Sequence, residues 1–299
     1  MGLGEALSGS KHMPMWLDRV DRPKVSPSLS TNVETDLAIV GAGYTGLWAA
    51  LCAKESHRDL DVVLIEASTV GEGASGRNGG FVSDTITHYQ SAGQLGLGEN
   101  NDPNMETLGH ENARGFLDTL KRYDMKVDFE SSGFLHIAVQ PHQVQALEAL
   151  YKADQEHGVN SVMLNKQEVR QHVNSPVFLA GHWTKEGRLG ILHPGRLVDG
   201  LREAACGLGV RLYENTPLKN LTRVGAGGDI LLCCADGEIR AKKVLLAMNC
   251  FPSPLPNTRR SLLAPVWEYA LATEPLNQAQ MDSIGWSGRQ GLSGVENFF

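Results

Sequence analysis

Hydrophobic residues first form a regular pattern where the chain reaches Asp36. A short apolar run, Leu37 to Val40, predicts a strand that is buried on both faces. Apolar positions then recur at helical spacing from Leu47 to about His57. A second apolar run, Val62 to Ile65, predicts another buried strand. The order strand, helix, strand predicts a right-handed βαβ unit with parallel strands.

The pattern changes in the middle of the chain and later returns to strands and helices. Residues 105–123 and 141–157 predict amphipathic helices, with a strand from Phe134 to Val139 between them. A further helix is expected to begin at Pro194 and to end at Gly209. The later strand candidates are Val210 to Tyr213, Leu218 to Val224, Ile230 to Cys234, Lys243 to Ala247 and Val266 to Thr273. This succession predicts a dinucleotide-binding half that is interrupted by a second domain and then resumed.

Composition narrows the classes of function only slightly. The chain has 299 residues, 41% hydrophobic and 20% charged, which is typical of a globular protein of about two domains. A net charge of −7 argues against a nucleic-acid-binding surface, and no apolar run approaches the about 18 residues of a membrane span. The five cysteines lack any metal-ligand spacing, which predicts reduced, mostly buried thiols in a cytoplasmic protein without a metal site.

Three glycines follow the first predicted strand and open the helix. Gly41 permits a tight turn, Gly43 lets the backbone approach a pyrophosphate, and Gly46 lets the helix pack on the strand. The free N–H groups at the helix start favour an anion. Glu66 ends the second strand, where a carboxylate accepts hydrogen bonds from an adenosine ribose and repels the 2′-phosphate of NADP. The alternative is a plain turn beside a solvated glutamate.

A second glycine-rich segment, Gly71 to Gly80, follows directly. Five of its ten residues are glycine, a density that no regular element tolerates. A flexible surface linker is the alternative, but linkers favour glycine and serine alone. The pair Arg77 and Asn78 between glycines favours a backbone that wraps closely around a charged, flat ligand.

On these motifs the chain resembles the FAD-dependent amine oxidoreductases of the D-amino acid oxidase type. The resemblance rests on DLAIVGAGYTGLWAA, the strand ending in Glu66 and GASGRNGG, with counterparts for ILHPGRLVDGL, LYENTPL, VLLAMNCF and LATEPL further along. The Trp16-Leu17-Asp18 stretch is similar to the γ-glutamylputrescine oxidase group. The bacterial members that resemble the chain most act on glycine, sarcosine-like amines and γ-glutamylputrescine.

The resemblance implies non-covalent FAD, because Ser75 stands beside the Arg-Asn pair and no histidine lies between His57 and His88. The first glycine turn and Glu66 would hold the ADP half, and the second segment would line the pyrophosphate and approach the isoalloxazine. Leu218, in the strand after Pro217, would meet the adenine. The cofactor-binding residues implied are Gly41, Gly43, Tyr44, Thr45, Gly46, Glu66, Ala67, Ser75, Gly76, Arg77, Asn78, Gly79, Gly80, Leu218, Ala247 and Asn249.

The family fold implied is α/β with an α+β substrate part. A Rossmann-like FAD-binding domain with a parallel sheet would span residues 36–90 and 190–250. A substrate domain with a mixed sheet, residues 91–189 and 251–299, would interrupt it, and residues 1–35 would form an irregular N-terminal arm. The family runs on for roughly another half-domain. We therefore expect a C-terminally truncated chain, whether a fragment, a broken reading frame or a natural truncation, with impaired activity.

The reaction implied is oxidation of the CH–NH bond of a small amine or amino acid, possibly γ-glutamylputrescine-like. Hydride would pass to the flavin N5, the imine would hydrolyse, and oxygen or another acceptor would reoxidise the flavin. The sequence names no catalytic residue and no oligomeric state. Trp267 and Tyr269 share one face of the last strand candidate, where aromatic residues are more often core than pocket wall.

Two other functions stay open at this point. An NAD-dependent dehydrogenase would keep the first βαβ unit but has no use for GASGRNGG. A non-catalytic truncated fragment of the oxidase is the other alternative.

Overall fold

A computed structural model describes most of the chain. The described residues are 13–84, 103–185, 187–224, 228–251, 265, 270–286 and 288–295, with only the backbone for 103–106. Trp267 and Tyr269 lie outside this part. The chain divides into two compact units, of which the first comprises residues 1–78, 125–127 and 193–268. The second comprises residues 79–124, 128–192 and 269–299. That these units act as cofactor and substrate domains stays a prediction.

The strands and helices alternate along much of the chain. The strands are β1 (Val33–Val40), β2 (Val62–Ile65), β3 (Phe81–Val82), β4 (Phe134–Ala138), β5 (Ser161–Asn165), β6 (Ala180–Thr184), β7 (Gly190–Ile191), β8 (Arg211–Tyr213), β9 (Asn220–Val224), β10 (Asp229–Cys233), β11 (Glu238–Leu246) and β12 (Gly291–Gly294). The α-helices are α1 (Tyr44–Ser56), α2 (Pro103–Arg122), α3 (Pro141–Glu156), α4 (Lys166–His172), α5 (Pro194–Gly207) and α6 (Gln278–Ile284). Among the described residues, none of these helices is both long and apolar enough to cross a membrane.

The first unit is built on a six-stranded sheet in the order β8-β2-β1-β11-β10-β9. The first four strands are parallel, whereas β10 pairs antiparallel with both β11 and β9. Every residue of β2 is buried, as expected for a parallel strand covered on both faces. Helix α1 packs against β1, β2 and α5. This arrangement confirms the predicted α/β fold with a parallel sheet.

Helix α5 shows why its sequence forms a helix at this place. Pro194 occupies the first turn, where a missing N–H costs nothing, and the His193 side chain accepts a hydrogen bond from the Arg196 N–H. The apolar positions recur at helical spacing and are buried: Leu197, Val198, Leu201, Ala204 and Ala205. Cys206 lies outside this stripe and is exposed.

The prediction of mostly buried thiols is wrong, although all five cysteines are free as expected. Only Cys234 is buried, whereas Cys52, Cys206 and Cys250 are exposed. Cys52 and Cys206 lie off the buried stripes of their helices, so the helical period decides their exposure rather than the residue type.

The second unit contains a four-stranded sheet in the order β12-β4-β6-β5 and a two-stranded pair of β3 with β7. Helix α3 packs on β4, β5 and β6, and α4 packs on β5 and β6. The core beneath them is apolar and comprises Leu135, Ile137, Leu164, Val169, Val173 and Phe178 on one side and Ala138, Leu147 and Ala180 on the other.

Most predicted elements are present with shifted ends. The arm ends before residue 33, because β1 begins at Val33 and pairs there with Ile239. Leu218 precedes β9 by two residues and is not in a strand, which corrects its predicted placement. Residues 270–273 have no regular structure, and residues 266–269 of that strand candidate lie outside the described part.

Several elements of the second unit were not predicted. Strands β5 and β6 read SVMLN and AGHWT, which offer neither an apolar run nor strict alternation. Helices α4 and α6 are short, and each begins at an asparagine whose side chain accepts hydrogen bonds from the first turn.

A buried histidine pair lies between the second unit's sheet and α3. His136 and His182 are direct cross-strand partners, with stacked rings whose centroids are 6.2 Å apart. His182 Nε2 lies 2.9 Å from Asp154 Oδ2 on α3. Burial, and then the charge of His182, lowers the pKa of His136 from 6.5 to about 4, although Asp154 opposes this shift.

This low pKa predicts a loss of stability in acid. The unfolded chain takes up a proton near pH 6.5 that the folded His136 takes up only near pH 4. The free energy of unfolding should therefore fall across this window as the pH falls, by up to about 3 kcal/mol. His136→Gln should flatten the decline in urea unfolding measured between pH 7 and 4.

His57→Gln is the matched control, since His57 is exposed in the other unit at the end of α1. It should leave the pH profile unchanged. Parallel profiles for the wild type and His136→Gln would contradict the assignment.

Candidate functional site at the edge of the parallel strands

Four chain segments meet at one edge of the six-stranded sheet, because the carboxyl ends of parallel strands lie together. Gly41 follows β1, Glu66 follows β2, Glu214 follows β8 and Ala247 follows β11. The chain leaves β1 toward β2 on one side, while β11 lies on the other side. Such a reversal of strand order opens a crevice at the strand ends, where ligands of open α/β sheets bind.

The first glycine turn depends on close backbone approach at two positions. Gly41 has a φ of +103°, and a Cβ atom there would lie 2.6 Å from the Ala247 carbonyl oxygen. A Cβ atom at Gly46 would lie 1.9 Å from the Gly41 carbonyl oxygen. The Gly41 N–H donates to the Ile65 carbonyl at 2.8 Å, which ties the turn to the end of β2. Neither glycine can be replaced without displacing main chain.

The second glycine segment caps the helix that the first turn opens. Gly43 precedes α1 and has no side chain to cap it, but the Tyr44 N–H donates to Ser75 Oγ at 2.9 Å. A Cβ atom at Gly43 would lie 2.9 Å from the same Ser75 Oγ. The hydroxyl of Ser75 therefore lies directly at the positive end of α1.

The two glycine segments also contact each other through their backbones. The Gly71 N–H donates to the Ala42 carbonyl at 3.1 Å. Gly71 has a φ of +79°, and a Cβ atom there would lie 2.6 Å from Val198 of α5. Residues Ala74–Gly76 form a 3-10 turn, and a Cβ atom at Gly76 would lie 2.5 Å from the Gly71 carbonyl oxygen. The structure thus brings the predicted segments together as far as Asn78.

Gly79 and Gly80 belong to the second unit. The Gly80 carbonyl there accepts a hydrogen bond from the Leu192 N–H at 2.9 Å.

Glu66 is held in place by backbone donors on both sides. Its Oε2 accepts from the Ala42 N–H at 2.8 Å and its Oε1 from the Ser68 N–H at 3.1 Å. Burial raises the pKa of Glu66, and these backbone hydrogen bonds lower it in part. A carboxylate offers about four acceptor positions, so further donors can still be accommodated. Ala67 follows it directly.

The other predicted residues differ in how they meet this edge. Ala247 lies on the first turn, since its N–H donates to the Val40 carbonyl at 2.8 Å. Asn249 is exposed with a φ of +51°. Arg77 is exposed, and its Nε donates to the Glu72 carbonyl at 2.9 Å. Leu218 packs against the hydrophobic core of the sheet.

Tyr44 and Asn78 connect the helix start to its surroundings. The Tyr44 hydroxyl donates to the Pro194 carbonyl at 3.2 Å, and burial raises the pKa of Tyr44. The Asn78 amide donates to the Ser75 carbonyl at 2.8 Å. Thr45 occupies the first turn of α1, where N–H groups have no acceptor within the helix.

Sequence reasoning missed a buried ion pair behind the site. Glu214 is 1% exposed, its Oε1 accepts from the Val70 N–H at 2.8 Å, and its Oε2 accepts from the Ser26 N–H at 2.6 Å. Arg202 Nη2 lies 3.2 Å from Glu214 Oε2. The available signal was positional, because Glu214 follows β8 as Glu66 follows the neighbouring strand β2.

No metal centre was predicted from the sequence. Within the described part of the chain, no three histidine, cysteine or acidic side chains lie close enough to hold a metal ion.

A protein-family model described as FAD dependent oxidoreductase, DAO, matches residues 36–297. The chain is 28% identical over 265 residues to the probable oxidoreductase OrdL of Haemophilus influenzae, covering 86% of this chain and 60% of that protein. It is 28% identical over 225 residues to the gamma-glutamylputrescine oxidoreductase of Escherichia coli, covering 75% of this chain and 51% of that protein. The chain thus spans between half and three-fifths of the length of these relatives.

Solved structures show the same fold at lower identity. The glycine oxidase from Bacillus cereus matches with a TM-score of 0.57 and 18% identity, over 73% of this chain and 56% of that one. NikD, described as an unusual amino acid oxidase of nikkomycin biosynthesis, matches with a TM-score of 0.56 and 18% identity, over 75% and 53%. At this level of identity the likeness concerns the fold.

The contact between Ser75 and α1 predicts a measurable stabilisation. Ser75→Ala removes the only side-chain acceptor recorded for the Tyr44 N–H, so the free energy of unfolding should fall by about 1 kcal/mol, the usual worth of a helix cap. Urea unfolding of the two proteins measures the difference. Ser56→Ala, at the last residue of the same helix, is the control and should change stability by less than about 0.5 kcal/mol. Equal losses would show that the cap contributes nothing.

Proposed function

Because the chain belongs to the FAD dependent oxidoreductase family whose model it matches over residues 36–297, we propose that it binds FAD non-covalently and oxidises the CH–NH bond of a small amine or amino acid. The observation that carries the proposal is the contact between the two glycine segments, where Ser75 Oγ meets the Tyr44 N–H at 2.9 Å. One backbone turn at a helix start accommodates many dinucleotides, whereas a second one laid against it suits the longer FAD.

The diphosphate of FAD would lie at the start of α1. The glycines leave the backbone N–H groups of this turn accessible, and the positive helix end favours an anion. Ser75 fits the same ligand, since a hydroxyl that accepts from the Tyr44 N–H can still donate its own proton to a phosphate oxygen. Side chains larger than hydrogen at Gly43 would fill this space, as the 2.9 Å approach to Ser75 Oγ indicates.

Glu66 would bind the ribose of the adenosine half. Its two backbone hydrogen bonds fix the carboxylate at the ends of β1 and β2, and its remaining acceptor positions suit the two ribose hydroxyls. A 2′-phosphate would meet this carboxylate as a like charge. Ala67, Ala247 and Asn249 lie at the same strand ends and would cover the nucleotide.

Leu218 has a different role open to it from the rest of the set. Its side chain belongs to the core, so only its backbone would meet the adenine.

The bound flavin would supply the redox chemistry by accepting a hydride from the amine carbon. The chain's own part is to bind and orient the cofactor through the edge described above. The similarity to a gamma-glutamylputrescine oxidoreductase supports an amine substrate of that kind. Oxygen or another acceptor would take up the electrons, and a cytoplasmic location stays a prediction from cysteine usage.

Two alternatives differ from the proposal in what the purified protein binds. An NAD-dependent dehydrogenase would bind NAD and remain colourless. A non-catalytic fragment fits the fact that the chain spans only 51% to 60% of its curated relatives. It would release no peroxide with any amine and reduce no bound flavin.

The test is purification of the 299-residue chain followed by absorption spectroscopy and titration with FAD and with NAD. The proposal expects a yellow protein with an oxidised-flavin spectrum, flavin that is released into the supernatant by acid precipitation, and no binding of NAD. Anaerobic addition of glycine, sarcosine and γ-glutamylputrescine should bleach the flavin band with at least one of them. A colourless protein that binds NAD would overturn the proposal, and a yellow one that no amine bleaches would favour the non-catalytic fragment.

Glu66→Gln should weaken FAD binding by about tenfold, since the amide nitrogen cannot accept the hydrogen bonds that the carboxylate accepts and a charge-assisted bond is worth about 1.5 kcal/mol or more. Isothermal titration with FAD measures the effect. Glu148→Gln, at an exposed position on α3, is the charge-matched control and should bind FAD as the wild type does. Unchanged affinity in Glu66→Gln would remove Glu66 from the site.

A further inference from the structure

Resting on the proposed function, the structure points to a role for the N-terminal arm in the cofactor site. We infer that residues 15–29, called the arm here, position the second glycine segment, residues 71–78, so that it is shaped to receive FAD. Both lie in the first unit, together with α5, which also contacts the arm. The arm acts through the segment and is not itself proposed to touch the cofactor.

The first part of the arm holds the end of the segment. Trp16 Nε1 donates to the Asn78 carbonyl at 2.8 Å, and the Trp16 ring packs edge-on against His193 with centroids 4.8 Å apart. Leu17 is 2% exposed and lies so close to Gly76 that a Cβ atom there would be 3.0 Å from its side chain. The segment thus has a neighbour in the arm at each of two positions, Gly76 and Asn78.

The middle of the arm reaches the start of the segment through two arginines. Arg19 and Arg22 both pair with Asp199 of α5, and Arg22 Nη2 also donates to the Val70 carbonyl at 3.0 Å. Asp199 is 7% exposed, so this carboxylate would be costly to bury without its two partners. Val70 immediately precedes Gly71, where the glycine segment begins.

The buried pair of Glu214 and Arg202 holds the same point from the other side. Glu214 accepts from the Val70 N–H and from the Ser26 N–H of the arm. Arg202 donates to Ser26 Oγ at 2.9 Å and to the Lys24 carbonyl. Both backbone groups of Val70 are therefore bonded within a network of arm and buried charge.

This network matters because the segment has little order of its own. Half of residues 71–80 are glycine, so fixing the segment's backbone costs more conformational entropy than fixing an ordinary loop. A ligand that binds only the ordered form gains affinity when the arm has already ordered the segment. The coupling is reciprocal, so bound FAD should in turn hold the arm more firmly.

Trp16→Phe tests the inference in the 299-residue protein. The substitution keeps an aromatic ring against His193 but removes the N–H that Asn78 accepts from. The matched control is Trp183→Phe in the second unit, because Trp183 Nε1 likewise donates to a backbone carbonyl, that of Ser132, at 3.1 Å. Isothermal titration with FAD and hydrogen exchange of residues 70–80 are measured for both variants and the wild type.

Trp16→Phe should raise the Kd for FAD by about fivefold, the equivalent of one lost hydrogen bond, and speed the exchange of residues 70–80 in the protein without FAD. Trp183→Phe should leave both unchanged, whatever it does to overall stability. In the wild type, added FAD should slow the exchange of residues 15–29 as well as of the segment. A purely structural arm would instead lower the stability of Trp16→Phe without changing the Kd or the exchange of the arm on FAD binding.

The outcomes separate this inference from the proposed function. A wild-type protein that binds FAD while Trp16→Phe binds it equally well, with no FAD-dependent protection of the arm, overturns the inference alone. A wild-type protein that does not bind FAD overturns the proposed function, and the inference falls with it.

Discussion

The close approach of main chain to main chain at the end of β1 is the constraint on which the rest of the structure depends. A Cβ atom at Gly46 would lie 1.9 Å from the Gly41 carbonyl oxygen, so α1 can start where it does only because both positions are glycine. That start places the helix N-terminus at the edge where four parallel strands end. Every group assigned to the cofactor site takes its position from this edge.

Backbone donors rather than arginine or lysine side chains hold the carboxylate nearest the turn. Glu66 accepts from the N–H groups of Ala42 and Ser68, while Glu214, at the end of the neighbouring strand β8, accepts from Val70 and Ser26 and also meets Arg202. Buried carboxylates need such partners, because an unpaired buried charge is far more costly than any single hydrogen bond returns. The pair of glutamates consequently stitches together the turn, the second glycine segment and the arm, three parts of the chain with little regular structure.

The two units differ in how their polar groups are used. In the first unit the buried charges lie at the strand ends and around the arm, where they shape a binding edge. In the second unit the buried polar cluster is the stacked pair His136 and His182 with Asp154, which lies within the packing between sheet and helix. The first arrangement suits a ligand, while the second makes the packing of the unit sensitive to acid. This difference agrees with a family in which the glycine-rich part binds the cofactor.

The sequence alone determined the βαβ unit, the two glycine segments and the family, because apolar period and glycine spacing are local properties that survive without knowledge of the fold. It did not reveal that Ser75 caps α1, that Glu214 joins Val70 to the arm, or that Trp16 reaches Asn78, since these contacts join residues between 31 and 188 positions apart. It also placed Leu218 in a strand that begins two residues later, since a short strand's end is set by its partner β10. Only the tertiary structure decides such pairings, because they depend on which strands become neighbours in the sheet.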